Sequence, residues 1–386
     1  MVRTMASKLL LLLIAVAALS LTACPGGGDG GSGGNISLGT TAPPFLYVAN
    51  SSSANVSGFS IGAGGFLNPT SPATFSTGGT TPNWIAVSPN GQFVYVANSG
   101  TNNVSSFTVN QSNAVLTATT PPTISTGPGS VPRGLTVTPN GQLLYVADNG
   151  TGAVSGFTMD TSTGLLTPTA QGTIFTGGTS PEGIAVSPNG QFLYVVNTGS
   201  DNVSGFTIGA GGLLTAMTTA TFSTGAAGSA PFGIVVSPDG QFVFVTNNGA
   251  DQVAAFSIGL GGVLSPATTP TFSTGAGSSP RGIAISPNGQ FLYVAGTGNN
   301  DIASFTVGAG GILTPTVPAV TPLGAATAPF GVVVSLNGQF VYVTETGPDN
   351  IAAFTIGAGG ILAATVPGTF STGGTNPLGI AVPGQP

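Results

Sequence analysis

The chain has 386 residues, only 4 of them Lys or Arg against 10 Asp or Glu, for a formal net charge of −6. An acidic chain so poor in cations is excluded from electrostatic binding to nucleic acid or anionic lipid headgroups. With 41% hydrophobic residues, no histidine and a single cysteine, it is equally excluded from compositional disorder, histidine-based catalysis and an internal disulfide.

The N-terminus reads as a targeting segment. MVRTMASK is a short cationic start, and the apolar run over residues 9–21 is too short to span a membrane comfortably and has no stop-transfer charges behind it. The run ends in Leu21-Thr22-Ala23-Cys24, which resembles a bacterial lipobox. That resemblance implies a signal peptide over residues 1–23 and lipidation at Cys24. The plainer alternative is an ordinary secretory signal with a nearby cysteine. Residues 24–43 are glycine-dominated and lack an apolar period, so a flexible tether is predicted. Pro25, where an aspartate would favour inner-membrane retention, is consistent with the outer membrane or cell surface. The expected location is therefore the cell envelope, with the membrane as partner through the lipid. Without Arg3 and Lys8, two cations face ten carboxylates, a net charge of −8.

From residue 44 onward the chain repeats. NGQ or DGQ begins at Asn90, Asn140, Asn189, Asp239, Asn288 and Asn337, at intervals of 49 or 50 residues. A fixed period of this length marks an array of supersecondary units. In the unit over residues 179–224, four strands are predicted. GIAV is short and β-branched. Ser-Pro-Asn-Gly then makes a tight hairpin, with proline setting φ and glycine supplying the left-handed position. FLYVVN (residues 192–197) is the second strand and VSGFTI (residues 203–208) the third. After Gly-Ala-Gly-Gly comes a looser, Thr-rich fourth strand. No segment carries a sustained helical period.

Strands such as FVYVAN (residues 93–98) are apolar on both faces, so each sheet is predicted to lie between two others. Four-stranded antiparallel sheets packed face to face around an axis make a β-propeller. A β-helix would need shorter coils than four hairpin-linked strands per repeat. The second-strand phrase occurs seven times, at Phe45, Phe93, Leu143, Phe192, Phe242, Phe291 and Phe340, and so does the first-strand phrase, from Trp84 to Gly379. The repeat region opens with a second strand (residues 45–50) and closes with a first strand (residues 379–382). The expected fold is all-β: a seven-bladed β-propeller over residues 44–386, its circle closed by pairing the C-terminal first strand with the N-terminal blade.

SPDGQFVFVTN (residues 237–247) and its siblings resemble the YVTN repeat of the seven-bladed lactonase-like propellers. That superfamily includes 6-phosphogluconolactonase-type and carboxymuconate-lactonizing-type enzymes and many bacterial envelope proteins. The resemblance covers residues 44–386. It implies the blade rather than an activity, because the shared phrase consists of turn and core residues.

In such propellers the loop entering the innermost strand lies at the mouth of the central channel, where the phrase Pro-X-Gly falls. Around the ring X is Asn83, Arg133, Glu182, Phe232, Arg281, Phe330 and Leu378. This one variable slot carries both arginines outside the N-terminal segment and one of the two glutamates. Asn83, Arg133, Glu182, Phe232, Arg281 and Phe330 are therefore the candidate ligand-binding residues, forming a mouth for a small anion with guanidinium forks and aromatic walls. A purely structural Arg133–Glu182 ion pair, with Arg281 stacked on a phenylalanine, is the alternative. A second ring, Ala54, Asn102, Gly152, Asp201, Asp251, Asn300 and Asp349, reads as turn chemistry. No metal site and no cofactor are expected. Glu345 replaces the Asn that usually ends the second strand.

Catalysis is poorly provisioned. Some lactonase-like members use histidine with arginine and glutamate, and histidine is absent here. A glutamate base with arginine oxyanion clamps remains open through Glu182, Arg133 and Arg281. The expected function is a lipid-anchored envelope module that binds a small anionic ligand or an envelope protein. The alternative is a lactone hydrolase of the 6-phosphogluconolactonase-like type.

Overall fold

The second strands organise the molecule, because both of their faces are hydrophobic and both must be covered. In the computed structural model, which describes residues 44–384, Phe93–Asn98 is buried at every position. Phe93, Tyr95 and Ala97 pack against Leu135, Leu144 and Val146 of the following sheet. Val94 and Val96 pack against Phe45, Tyr47 and Ala49 of the preceding one. Repeating this two-sided packing gives seven four-stranded antiparallel sheets, six of them built from four strands consecutive in sequence. The expected signal peptide, Cys24 and tether lie outside the described residues.

The blades are numbered here by their innermost strands: blade 1 Pro377–Ala381, blade 2 Pro82–Val87, blade 3 Pro132–Val137, blade 4 Pro181–Val186, blade 5 Pro231–Val236, blade 6 Pro280–Ile285 and blade 7 Pro329–Val334. Blade 1 joins the two ends of the repeat region. Tyr47 pairs with Ala381 and Val48 with Ile380, so residues from the C-terminal end complete the sheet begun at Phe45. The fourth strand is better ordered than its composition indicates. It runs for ten residues in every blade and pairs with the third strand through a register shift. Many carry proline, which leaves few donors on the outer edge.

Local chemistry fixes the repeat. At the NGQ turn, Gly91 takes φ +70° and donates to the Ser88 carbonyl, while Asn90 Oδ1 accepts from the Gln92 amide and Ser88 Oγ from the Phe93 amide. A tyrosine in each of six blades then ties it to the next. Tyr95 donates to the Gly164 carbonyl at 2.9 Å and Tyr342 to the Gly65 carbonyl at 3.0 Å, with Tyr47, Tyr145, Tyr194 and Tyr293 doing the same. Burial pushes all six phenols above their ordinary pKa. Blade 5 has Phe244 at this position and lacks the tie.

Candidate functional site

Proline and glycine are poor strand formers, yet Pro-X-Gly lies inside the innermost strand rather than in a loop leading to it. A bulge resolves the conflict. Pro132 pairs with Asp148 and Leu135 with Val146, so Arg133 and Gly134 together oppose Ala147. Blades 2, 4, 5, 6 and 7 repeat the shift. Two residues against one bends the strand and re-aims the X side chain. Proline is tolerated because it opens the strand. Glycine is required because the next blade comes very close. A Cβ on Gly134 would collide with the Glu182 carbonyl oxygen, and one on Gly183 with that of Phe232. The same collision recurs at Gly233, Gly282, Gly331 and Gly379. Blade 2 departs from the phrase, since Trp84 stands where the others have glycine.

This ring of close approaches brings the X side chains together. Arg133 Nε lies 3.9 Å from Glu182 Oε1, with Arg133 34% and Glu182 14% exposed. So long and partly exposed an ion pair contributes little stability. Asn149, at the hairpin of blade 3, donates to Glu182 Oε1 at 3.1 Å and to the Pro181 carbonyl at 3.2 Å. Burial raises the Glu182 pKa above the usual carboxylate value, outweighing the opposing effects of Arg133 and Arg281.

Arg281 sits among aromatic rings. Its guanidinium carbon is 5.3 Å from the Phe232 centroid and 5.2 Å from that of Phe330. Such cation–π contacts contribute about 0.5–2 kcal/mol each, depending on desolvation. Phe232 and Phe330 meet edge to face at 5.5 Å, and Trp84 meets Phe330 at 6.3 Å. Burial lowers the Arg281 pKa, Glu182 opposes the shift and the charge of Arg133 adds to it. Arg133 and Arg281, three blades apart, therefore sense one another. Thr246 Oγ accepts from the Gly233 amide and donates to the Arg281 carbonyl, both at 2.8 Å, which pins this part of the rim.

Three buried polar atoms of the slot have no hydrogen-bond partner: Asn83 Oδ1, Arg133 Nε and Arg281 Nε. Asn83 is only 2% exposed. Five further such atoms lie at the ends of second strands, at Asn50, Asn98, Asp148, Asn197 and Asn247. Buried polar atoms are ordinarily satisfied, and the three in this slot include both guanidinium groups, so the mouth has capacity for a polar ligand group.

The second ring is occupied by backbone contacts. All seven of its residues take positive φ, from 52° to 68°. Asp201 accepts from the amides of Gly228 and Ala230, and Asp251 from those of Gly277 and Ser279. These side chains clamp the linker into the next blade. Among the described residues no cluster of three or more His, Cys, Asp or Glu could hold a metal. Glu345 is buried at 2% exposure, beneath the hairpin at the end of its strand. A groove of about 690 Å³ lies on the opposite face, along the NGQ turns of blades 3 and 4. Asp160 on its rim accepts from Ser162 and Thr163, as turn aspartates do.

The model of the family described as "Lactonase, 7-bladed beta-propeller" matches residues 40–179, 121–226 and 225–383. The chain belongs to that family. This lactonase-family propeller is also similar to solved structures. One is a 6-phosphogluconolactonase candidate from Bacteroides fragilis, at 22% identity over 89% of this chain and 98% of that one, with a TM-score of 0.73. Another is the periplasmic gluconolactonase of Pseudomonas aeruginosa, at 22% identity over 87% and 98% of the two chains, TM-score 0.73. A third is virginiamycin B lyase from Staphylococcus aureus, at 17% identity over 75% and 84%, TM-score 0.53. At these identities the likeness is one of fold. No curated protein sequence matches.

Two residues of the lactonase-family mouth escaped the sequence reading. Trp84 was visible as the one break in Pro-X-Gly but was read as part of a strand. Asn149 looks like any turn asparagine, and only the packing of blade 3 on blade 4 places it against Glu182.

Proposed function

We propose that the channel mouth binds a small organic anion, and that the protein serves as a ligand-binding module held at the cell envelope through Cys24. One observation carries this reading. The only two cations among the described residues share one repeated slot, where Arg133 Nε, Arg281 Nε and Asn83 Oδ1 are buried without a hydrogen bond. With Glu182 ionised, the cluster has a net charge of +1 in an otherwise acidic body. Two guanidinium groups suit a carboxylate better than a neutral ligand. A thermal-shift panel of carboxylates and inorganic phosphate tests the reading. At least one compound should raise the melting temperature, and the Arg133→Gln/Arg281→Gln double variant should lose the response. Stabilisation that survives in the double variant, or none with any compound, contradicts it.

A second reading, lactone hydrolysis, is favoured by the position of Glu182. Its carboxyl is largely buried, 3.9 Å from Arg133 Nε and within the influence of the Arg281 charge, and the solved relatives named above include a gluconolactonase. Glu182 would take a proton from water as the water oxygen attacks the lactone carbonyl. Arg133 would stabilise the oxyanion, and the ring oxygen would leave as an alcohol carrying that proton. Turnover of gluconolactone that Glu182→Gln abolishes would establish this reading in place of the first.

A further inference from the structure

The mouth is unevenly furnished, and the unevenness speaks to the class of anion. Phe232 and Phe330 pack together against one side of the Arg281 guanidinium, at 5.3 and 5.2 Å. Arg133 is 34% exposed, and among the described residues no aromatic ring packs on its guanidinium as two do on Arg281. A guanidinium left bare of rings suits one carboxylate. Elsewhere in the ring, Trp84, Phe232 and Leu378 present half-buried apolar surface. Within the slot itself, groups able to bind hydroxyls are scarce. Outside the arginines the slot offers Asn83, which is 2% exposed, and Glu182, which Asn149 already engages at 3.1 Å. A sugar acid would bring several hydroxyls to this surface and strand most of them, and unpaired polar groups are strongly disfavoured in a closed site. An aryl group would instead meet indole and phenyl faces.

Resting on the anion-binding reading above, we propose that the mouth selects a monocarboxylate bearing an aryl group, with its carboxylate on Arg133 and its ring against Trp84 and Phe232, over polyhydroxy acids.

The chain contains its own reporter. Trp84 is the single tryptophan, and it lies at the site. Its emission is followed during titration with phenylacetate, acetate and gluconate, excited at the red edge of the indole band where all three are transparent. Calorimetry on the same samples covers binding that leaves the emission unchanged. Burial of one phenyl group corresponds to about 1.5–3 kcal/mol, so phenylacetate should bind at least about tenfold more tightly than acetate or gluconate. Arg133→Gln should weaken phenylacetate about tenfold. Phe232→Leu should shrink the preference for phenylacetate over acetate, with circular dichroism confirming that both variants fold. If gluconate or acetate matches phenylacetate, the aryl selectivity is overturned and the anion site stands. If none of the three binds by either method, both proposals fall.

Discussion

Replacing Asp148 by Asn should make the protein more stable at pH 8 and leave it nearly unchanged at low pH. The second strand ends in Asn in blades 1, 2, 4 and 5, and in blade 2 Asn98 Nδ2 donates to Asn103 Oδ1 at 2.8 Å and Ser105 Oγ at 2.7 Å. Ser105 then donates to the Thr77 carbonyl of the preceding linker. Blade 3 has Asp148, 0% exposed, accepting from Ser155 at 2.5 Å and leaving Oδ1 without a partner. Burial pushes its pKa from the usual 3.8 to about 7, against the smaller opposing effect of Ser155. A carboxyl raised in the folded state binds protons more tightly there than in the unfolded chain. Its contribution is fully present below pH 4, falls as the pH rises, and is lost above about pH 7. Between pH 5 and pH 8 the folded state thus loses about two pH units' worth of linkage, or about 3 kcal/mol, from this site. Asparagine removes that slope, and its amide can donate to Ser155 as Asn98 does to Ser105. Urea midpoints of both proteins at pH 5 and pH 8 give the test. The variant's advantage should grow by about 3 kcal/mol over that interval. Parallel pH dependence in the two proteins would refute the reasoning. Asp301 and Glu345, pushed by burial to about 6 and about 7, should make the parent lose further stability in the same direction.

Three other outcomes are expected. Tyr293→Phe should cost about 1 kcal/mol by orphaning the Gly360 carbonyl, and Phe244→Tyr should gain a similar amount by supplying the missing tie between blades 5 and 6, both read from urea melts. Deleting residues 377–386 removes Ile380 and Val382, which are 7% and 2% exposed, and should cost at least about 3–6 kcal/mol; a truncated protein that melts like the parent would contradict closure of the circle. Trypsin should leave the folded propeller intact for hours, because Arg133 and Arg281 lie within strands and cleavage needs local opening; prompt nicking at either would show a loose rim.

The repeat was legible because turn chemistry recurs without change. Asn-Gly-Gln or Asp-Gly-Gln at a fixed period located the hairpin between the first and second strands of six blades, and two-faced apolar phrases such as FVYVAN required sheets on both sides. The X slot was legible for the opposite reason, since it varies between a constant proline and an almost constant glycine and holds both arginines of the repeat region. The bulge was not. Proline and glycine read as turn residues, and nothing local reveals that glycine is there to admit a neighbouring carbonyl from about 50 residues downstream. The packing of Arg281 on Phe232 and Phe330 joins blades 5, 6 and 7, and no sequence interval encodes how far each side chain reaches. Asp148 was visible as YVAD among YVAN siblings, but its cost depends on burial. Asp301 was hidden further, because it looks like one more hairpin residue, while its carboxylate fills the space left by Gly296.

The central claim, that the channel mouth is the binding site, is tested most directly by a crystal structure grown with phenylacetate. The account predicts density for the carboxylate against Arg133 and for the ring against Trp84 and Phe232. Density only in the groove beside Asp160 on the opposite face, or none at the mouth under saturating ligand, would contradict it.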